Sequence, residues 1–179
     1  MEITEKIRIP SDHGYLSAVV CKPNVTAKGL AILLPGYLDS KDYDHLVVLG
    51  NDLAKYGYVV IRFDATGTWG SSGNVDDYSV TQRLKDLDEV LAYAQREFRP
   101  KKVLLMGHSM GGMIALLYAA RHNTIDGVTA IMAPYAFVRP NNAEKRDEKA
   151  HGRNKVITFH VVNFLQIRKK HLKLKHPIQ

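Results

Sequence analysis

Hydrophobic and polar positions alternate over residues 3–9 and again over 15–21, with the turn cluster Ser11-Asp12-His13-Gly14 between them. A period of two places one face of each segment against a core, so the pair predicts an antiparallel hairpin. The pattern then changes. Residues 30–34 form a continuous apolar run, as a strand buried on both faces requires. Residues 43–56 predict a helix that ends at Gly57, which suits the position after a helix terminus. Residues 58–63 (YVVIRF) predict a further strand. Val80, Leu84, Leu87, Leu91, Ala94 and Phe98 recur at helical spacing, with Ser79 and Gln82 placed as a capping box. Residues 102–106 predict a strand, 113–121 an apolar helix, and 128–133 a last strand. Strands separated by helices imply an α/β fold: a mostly parallel sheet behind an antiparallel hairpin, with helices on both faces and right-handed crossovers.

Gly107-His108-Ser109-Met110-Gly111-Gly112 stands between a predicted strand and a predicted helix. Strand, G-x-S-x-G, helix is the setting of a nucleophile elbow, in which a sharp turn lifts the serine hydroxyl above the sheet. The flanking glycines are explained by the closeness of strand and helix backbones there. Attack of Ser109 Oγ on an acyl carbonyl creates an oxyanion, and backbone N–H groups aimed at that oxygen stabilise it. Met110 N–H, at the positive start of the elbow helix, is one donor.

Taken with its neighbours, the elbow resembles that of the α/β-hydrolase superfamily, over roughly residues 3–138. Within it the chain is similar to the small serine esterases, monoacylglycerol lipases and serine aminopeptidase-like hydrolases. Residues 62–73 (RFDATGTWGSSG) look like the family's D-x-x-G-x-G-x-S loop after the fourth strand. Leu33-Leu34-Pro35-Gly36-Tyr37 looks like the loop after the third strand, with Pro35-Gly36 where many members carry His-Gly. The resemblance implies Tyr37 N–H as the second oxyanion donor; Pro35 has no N–H to offer. It also implies a triad whose acid and histidine follow the serine in the chain.

Those partners are hard to find. The acids after Ser109 are Asp126, Glu144, Asp147 and Glu148, and the histidines beyond them are His151, His160, His171 and His176. Asp126 precedes its strand and so falls at the wrong end of the sheet. Asp147 and His160, the latter inside the strand-like run 156–165, are the candidate acid and base. Asp64 precedes the serine and reads as a structural turn residue. His108 reads as buried beside the turn, and His122 as a solvated residue after the elbow helix. Trp69 and Tyr37 are equally suited to an acyl pocket and to ordinary packing.

Composition divides the chain at the same place. The first 138 residues carry 14 Lys/Arg against 15 Asp/Glu, whereas residues 139–179 carry 11 against 3. The sequence thus predicts a hydrolase core over 1–138 and a basic segment over 139–179. The expectation is that the sheet is cut off after its sixth strand. That would leave an edge that is a route to dimerisation or to aggregation and poor solubility. A basic tail suits nucleic acid or an anionic membrane, which ranks below truncation as its explanation. The single cysteine, Cys21, reads as a small core residue. No Cys/His cluster at zinc spacing and no P-loop is present, so no metal and no cofactor are expected. The N-terminus lacks a signal-peptide layout, which predicts a cytoplasmic protein. The expected function is hydrolysis of small acyl substrates, carboxylic esters or thioesters, through an acyl-serine. The alternative is a catalytically impaired, truncated fragment or a non-catalytic binding protein.

Overall fold

The computed structural model describes residues 3–134. Six strands form one sheet: β1 (Ile3–Ser11), β2 (Gly14–Lys22), β3 (Gly29–Leu34), β4 (Tyr58–Phe63), β5 (Val103–His108) and β6 (Gly127–Ile131). Their spatial order is β1-β2-β4-β3-β5-β6. β1 pairs antiparallel with β2, and β2 antiparallel with β4, so the predicted hairpin joins the sheet through its second strand. β4, β3, β5 and β6 are parallel.

Three helices make the crossovers: α1 (Asp44–Lys55), α2 (Val80–Phe98) and α3 (Met110–Arg121). The step from β3 to β4 runs one way across the sheet, whereas those from β4 to β5 and β5 to β6 run the other way. With right-handed crossovers, α1 must then lie on one face and α2 and α3 on the opposite one. The core has that form. Leu46, Leu53 and Ala54 of α1 pack with Val19, Cys21, Ala31, Leu33, Val60 and Met106. Leu87, Val90 and Ala94 of α2 and Ile114, Ala115 and Tyr118 of α3 pack with Leu30, Ile32, Leu34, Ile61 and Leu105. Alternate residues of β3 thus serve opposite layers, which is why that strand is apolar throughout. Cys21 is a buried thiol in the α1 layer, as read from the sequence.

Local signals place most element ends. Tyr56 closes α1 and Gly57 follows at φ 94°, a conformation natural to glycine. Ser79 caps α2 by accepting from Gln82 N at 3.1 Å. The reciprocal half of the predicted capping box, in which Gln82 Oε1 would accept from Ser79 N, is not made; Gln82 Nε2 donates to Asp12 and Asp86. α3 starts at Met110 rather than 113, since the two glycines are absorbed into its first turn. His122, expected in solvent, stacks on Tyr118 with ring centroids 3.9 Å apart. Asp147, His160 and the basic segment lie outside the described residues. Among the described residues no helix is long and apolar enough to cross a membrane.

Candidate active site

The crossovers step away from each other on either side of β3 and β5, which makes a topological switch point, where the loops leaving two neighbouring parallel strands part and open a crevice. Leu34 is in register with Gly107, and Gly107 with Ala130. The loops after β3, β5 and β6 therefore gather at one end of the sheet, with that after β4 beside them. Five non-glycine residues among those described have positive φ, and four belong to these loops: Leu38, Trp69, Ser109 and Met132. Such backbone persists only where surrounding structure over-determines it, and it concentrates at functional sites.

Ser109 is the vertex between β5 and α3, at φ 51° and ψ −120°. Its N–H donates to Ile131 O at 2.8 Å, tying the turn to the end of β6. Its side chain makes no capping bond to the helix it begins, so Oγ is not consumed there. The glycines on both sides have a steric cause. A Cβ on Gly107 would lie 2.3 Å from the Gly111 backbone, and one on Gly111 would lie 2.2 Å from Leu34 O. Strand, turn and helix touch backbone to backbone, and only glycine fits.

The loop after β3 is held from below by a group the sequence does not flag. Arg83 of α2 is only 2% exposed, and its guanidinium donates to Pro35 O at 2.8 Å and to Gly36 O at 3.0 Å. It also donates to Tyr78 Oη at 2.6 Å. Tyr78 Oη in turn accepts from Leu38 N at 3.1 Å and lies 3.7 Å from Met110 Sδ. All peptide bonds here are trans. The Tyr37 N–H consequently points opposite to the Gly36 carbonyl that Arg83 holds. Neither the Tyr37 nor the Met110 amide has a hydrogen-bond acceptor among the described residues. Two backbone donors are thereby left at the mouth of the switch point.

Asp64 is fully buried and takes the structural part read for it. It accepts from Lys41 N and Lys41 Nζ, each at 2.8 Å, and from Gly70 N at 3.2 Å, joining the β3 and β4 loops. Burial by itself would lower the Lys41 pKa, but its bonds to Asp64 and Asp42 hold it above the ordinary value. Asp126 accepts from Val103 N at 2.8 Å, at the start of β5 and hence the end of the sheet remote from Ser109. Tyr37 and Trp69 are mostly exposed. The Trp69 indole donates to Leu38 O at 2.8 Å and meets Tyr43 edge to face, while Tyr37 meets Tyr78 in the same way. His108 is not enclosed as expected: its ring is 34% exposed and faces Asp39 and His45. Sequence reasoning missed Arg83, Tyr78, Asp39 and His45, because the contacts that bring each to the site form across the fold.

Residues 31–158 match the family described as alpha/beta hydrolase fold. The chain belongs to that family. It is 29% identical to monoglyceride lipase of Rattus norvegicus over 139 residues, 75% of this chain and 44% of that one. It is 34% identical to proline iminopeptidase of Saccharolobus solfataricus over 82 residues, 45% and 25% of the two chains. Among solved structures it is similar to Est1E from Butyrivibrio proteoclasticus with ferulic acid bound. The TM-score is 0.67 at 25% identity, covering 71% of this chain and 52% of that one. The chain thus spans from a quarter to about half the length of these hydrolase relatives.

Proposed function

We propose that this chain is a serine hydrolase of small carboxylic esters or thioesters. In this reading Ser109 Oγ attacks the acyl carbon, and its proton passes to a histidine base. The oxyanion is held by Tyr37 N–H and Met110 N–H. Collapse expels the alcohol or thiol, which takes a proton from the base, and leaves an acyl-Ser109 ester. Water, activated by the same base, then attacks that ester and releases the carboxylic acid. No cofactor takes part. The observation that carries the reading is Ser109 itself, at positive φ between two glycines that tolerate no Cβ. The kinship with lipases and esterases and the two open backbone amides support it.

Asp147 and His160 remain the proposed acid and base. A second reading, an α/β-hydrolase fragment that binds without catalysing, is favoured by the place of Asp126. It is the one acid among the described residues after Ser109, and it lies at the wrong end of the sheet.

A fluorophosphonate probe separates the two readings. The hydrolase reading expects covalent labelling of the folded protein, lost in Ser109→Ala. Folded protein that resists the probe would sink it. His160→Ala is expected to abolish labelling without lowering the urea midpoint. Undiminished labelling would remove His160 as the base and turn attention to His151, His171 and His176.

A further inference from the structure

Beside the elbow, three side chains from separate parts of the chain meet. Asp39 comes from the loop after β3, His45 from the first turn of α1 and His108 from the end of β5. One donor atom of each lies within 4.8 Å of the other two. Asp39 Oδ2 accepts from Gly36 N at 3.2 Å and stands 3.7 Å from His108 Nδ1. That separation is too long for a hydrogen bond. His108 Nδ1 is buried and has no hydrogen-bond partner among the described residues. The His45 and His108 rings meet edge to face with centroids 5.5 Å apart.

We propose that Asp39, His45 and His108 form a binding site for a divalent transition-metal ion of the Zn2+ class. Two imidazoles and one carboxylate supply a single negative charge and borderline-soft nitrogen donors, which suit Zn2+ rather than Mg2+ or Ca2+. Ligands about 2.0–2.1 Å from a tetrahedral ion lie about 3.4 Å from one another. The Asp39–His108 pair already stands within a few tenths of an ångström of that spacing. His45 is exposed, so its side chain is able to swing the remaining distance. The ion would also give the buried Nδ1 the partner it lacks, and such a partner is the rule for buried polar atoms. Asp39 retains lone pairs for the Gly36 N–H while it ligates. The fourth position would stay open to water or an outside ligand. Local spacing hides this site, because its members lie at 39, 45 and 108 and meet only in the folded sheet.

The test uses tag-free, chelator-treated, full-length protein titrated with Zn2+ by calorimetry and with Co2+ by visible absorption. One equivalent of Zn2+ and the visible bands of a four-coordinate Co2+ site are expected. His45→Ala and Asp39→Asn should each weaken binding at least about tenfold while the urea midpoint holds. Replacing His151, His160, His171 and His176 together by Gln should leave the site intact. Ser109→Ala should also bind the ion unchanged, so this result stands apart from the hydrolase reading. The proposal is overturned if neither ion binds. It is equally overturned if His45→Ala and Asp39→Asn bind like the parent, or if binding goes with the four later histidines.

Discussion

Arg83 illustrates how a single buried charge with no part in the chemistry fixes a loop that has one in the proposed reaction. Its guanidinium sits under Pro35 and Gly36 and takes both carbonyls, and trans-planar peptide geometry then turns the next amide outward. Two of its bonds go to backbone, where no neighbouring side chain announces them in the sequence. Removing it would leave buried acceptors unpaired, at a cost of about 2 kcal/mol. Arg83→Met is therefore expected to lower the urea midpoint. It should also slow the fluorophosphonate reaction by about tenfold or more, since one misplaced oxyanion donor typically costs 100-fold. A purely structural part for Arg83 would move the midpoint and leave the labelling rate of the folded fraction unchanged. Glycine was legible at this scale and arginine was not. The steric demand at Gly107 and Gly111 is local to a recognisable motif, whereas the Arg83 contacts span more than 40 positions of sequence.

Among the elements, α2 does more than cover the sheet. Its buried face is apolar at Leu87 and Ala94, as the periodicity predicted, and at Val90, but its first turns place Gln82, Arg83 and Asp86 inside as well. Asp86 takes Thr66 N at 2.9 Å, Thr66 Oγ1 at 2.7 Å and Gln82 Nε2 at 3.1 Å, so α2 anchors the β4 loop through one carboxylate. Desolvation raises the Asp86 pKa above its ordinary 3.8, although the bonds from Thr66 and Gln82 and the Arg83 charge oppose it. The sign follows from linkage. An acid whose folded pKa is raised favours the folded state fully below its unfolded pKa and loses that contribution as pH rises through the folded value. Asp86→Asn does not titrate. Its urea midpoint relative to the parent is thus expected to improve as pH is raised from 3.5 into the raised range, using about half-unit steps. A flat or falling difference would contradict the assignment. Element boundaries were readable because caps and glycines act within a few residues. The inward polar residues of α2 were not, because a helical period ranks polar positions as outward by default.

For the whole molecule, the sheet order decides where chemistry gathers. β6 pairs with β5 along one side only among the described residues, and an open strand edge is a template for a second copy. Light scattering at micromolar concentration is expected to give a dimer or larger aggregates; a stable monomer would count against that edge as an interface. By itself, the sequence determined the strand and helix periods, the hairpin, the two-faced burial of β3 and the elbow at Ser109. These rest on patterns within one element or across one turn. Tertiary structure alone decided that Met132 joins Tyr37 and Ser109 at one end of the sheet, that Arg83 supports the loop carrying Tyr37, and that Asp39, His45 and His108 converge. The physical reason is that a parallel sheet brings together strand ends far apart in the chain, and the order of its strands is set by the packing of helices on its two faces.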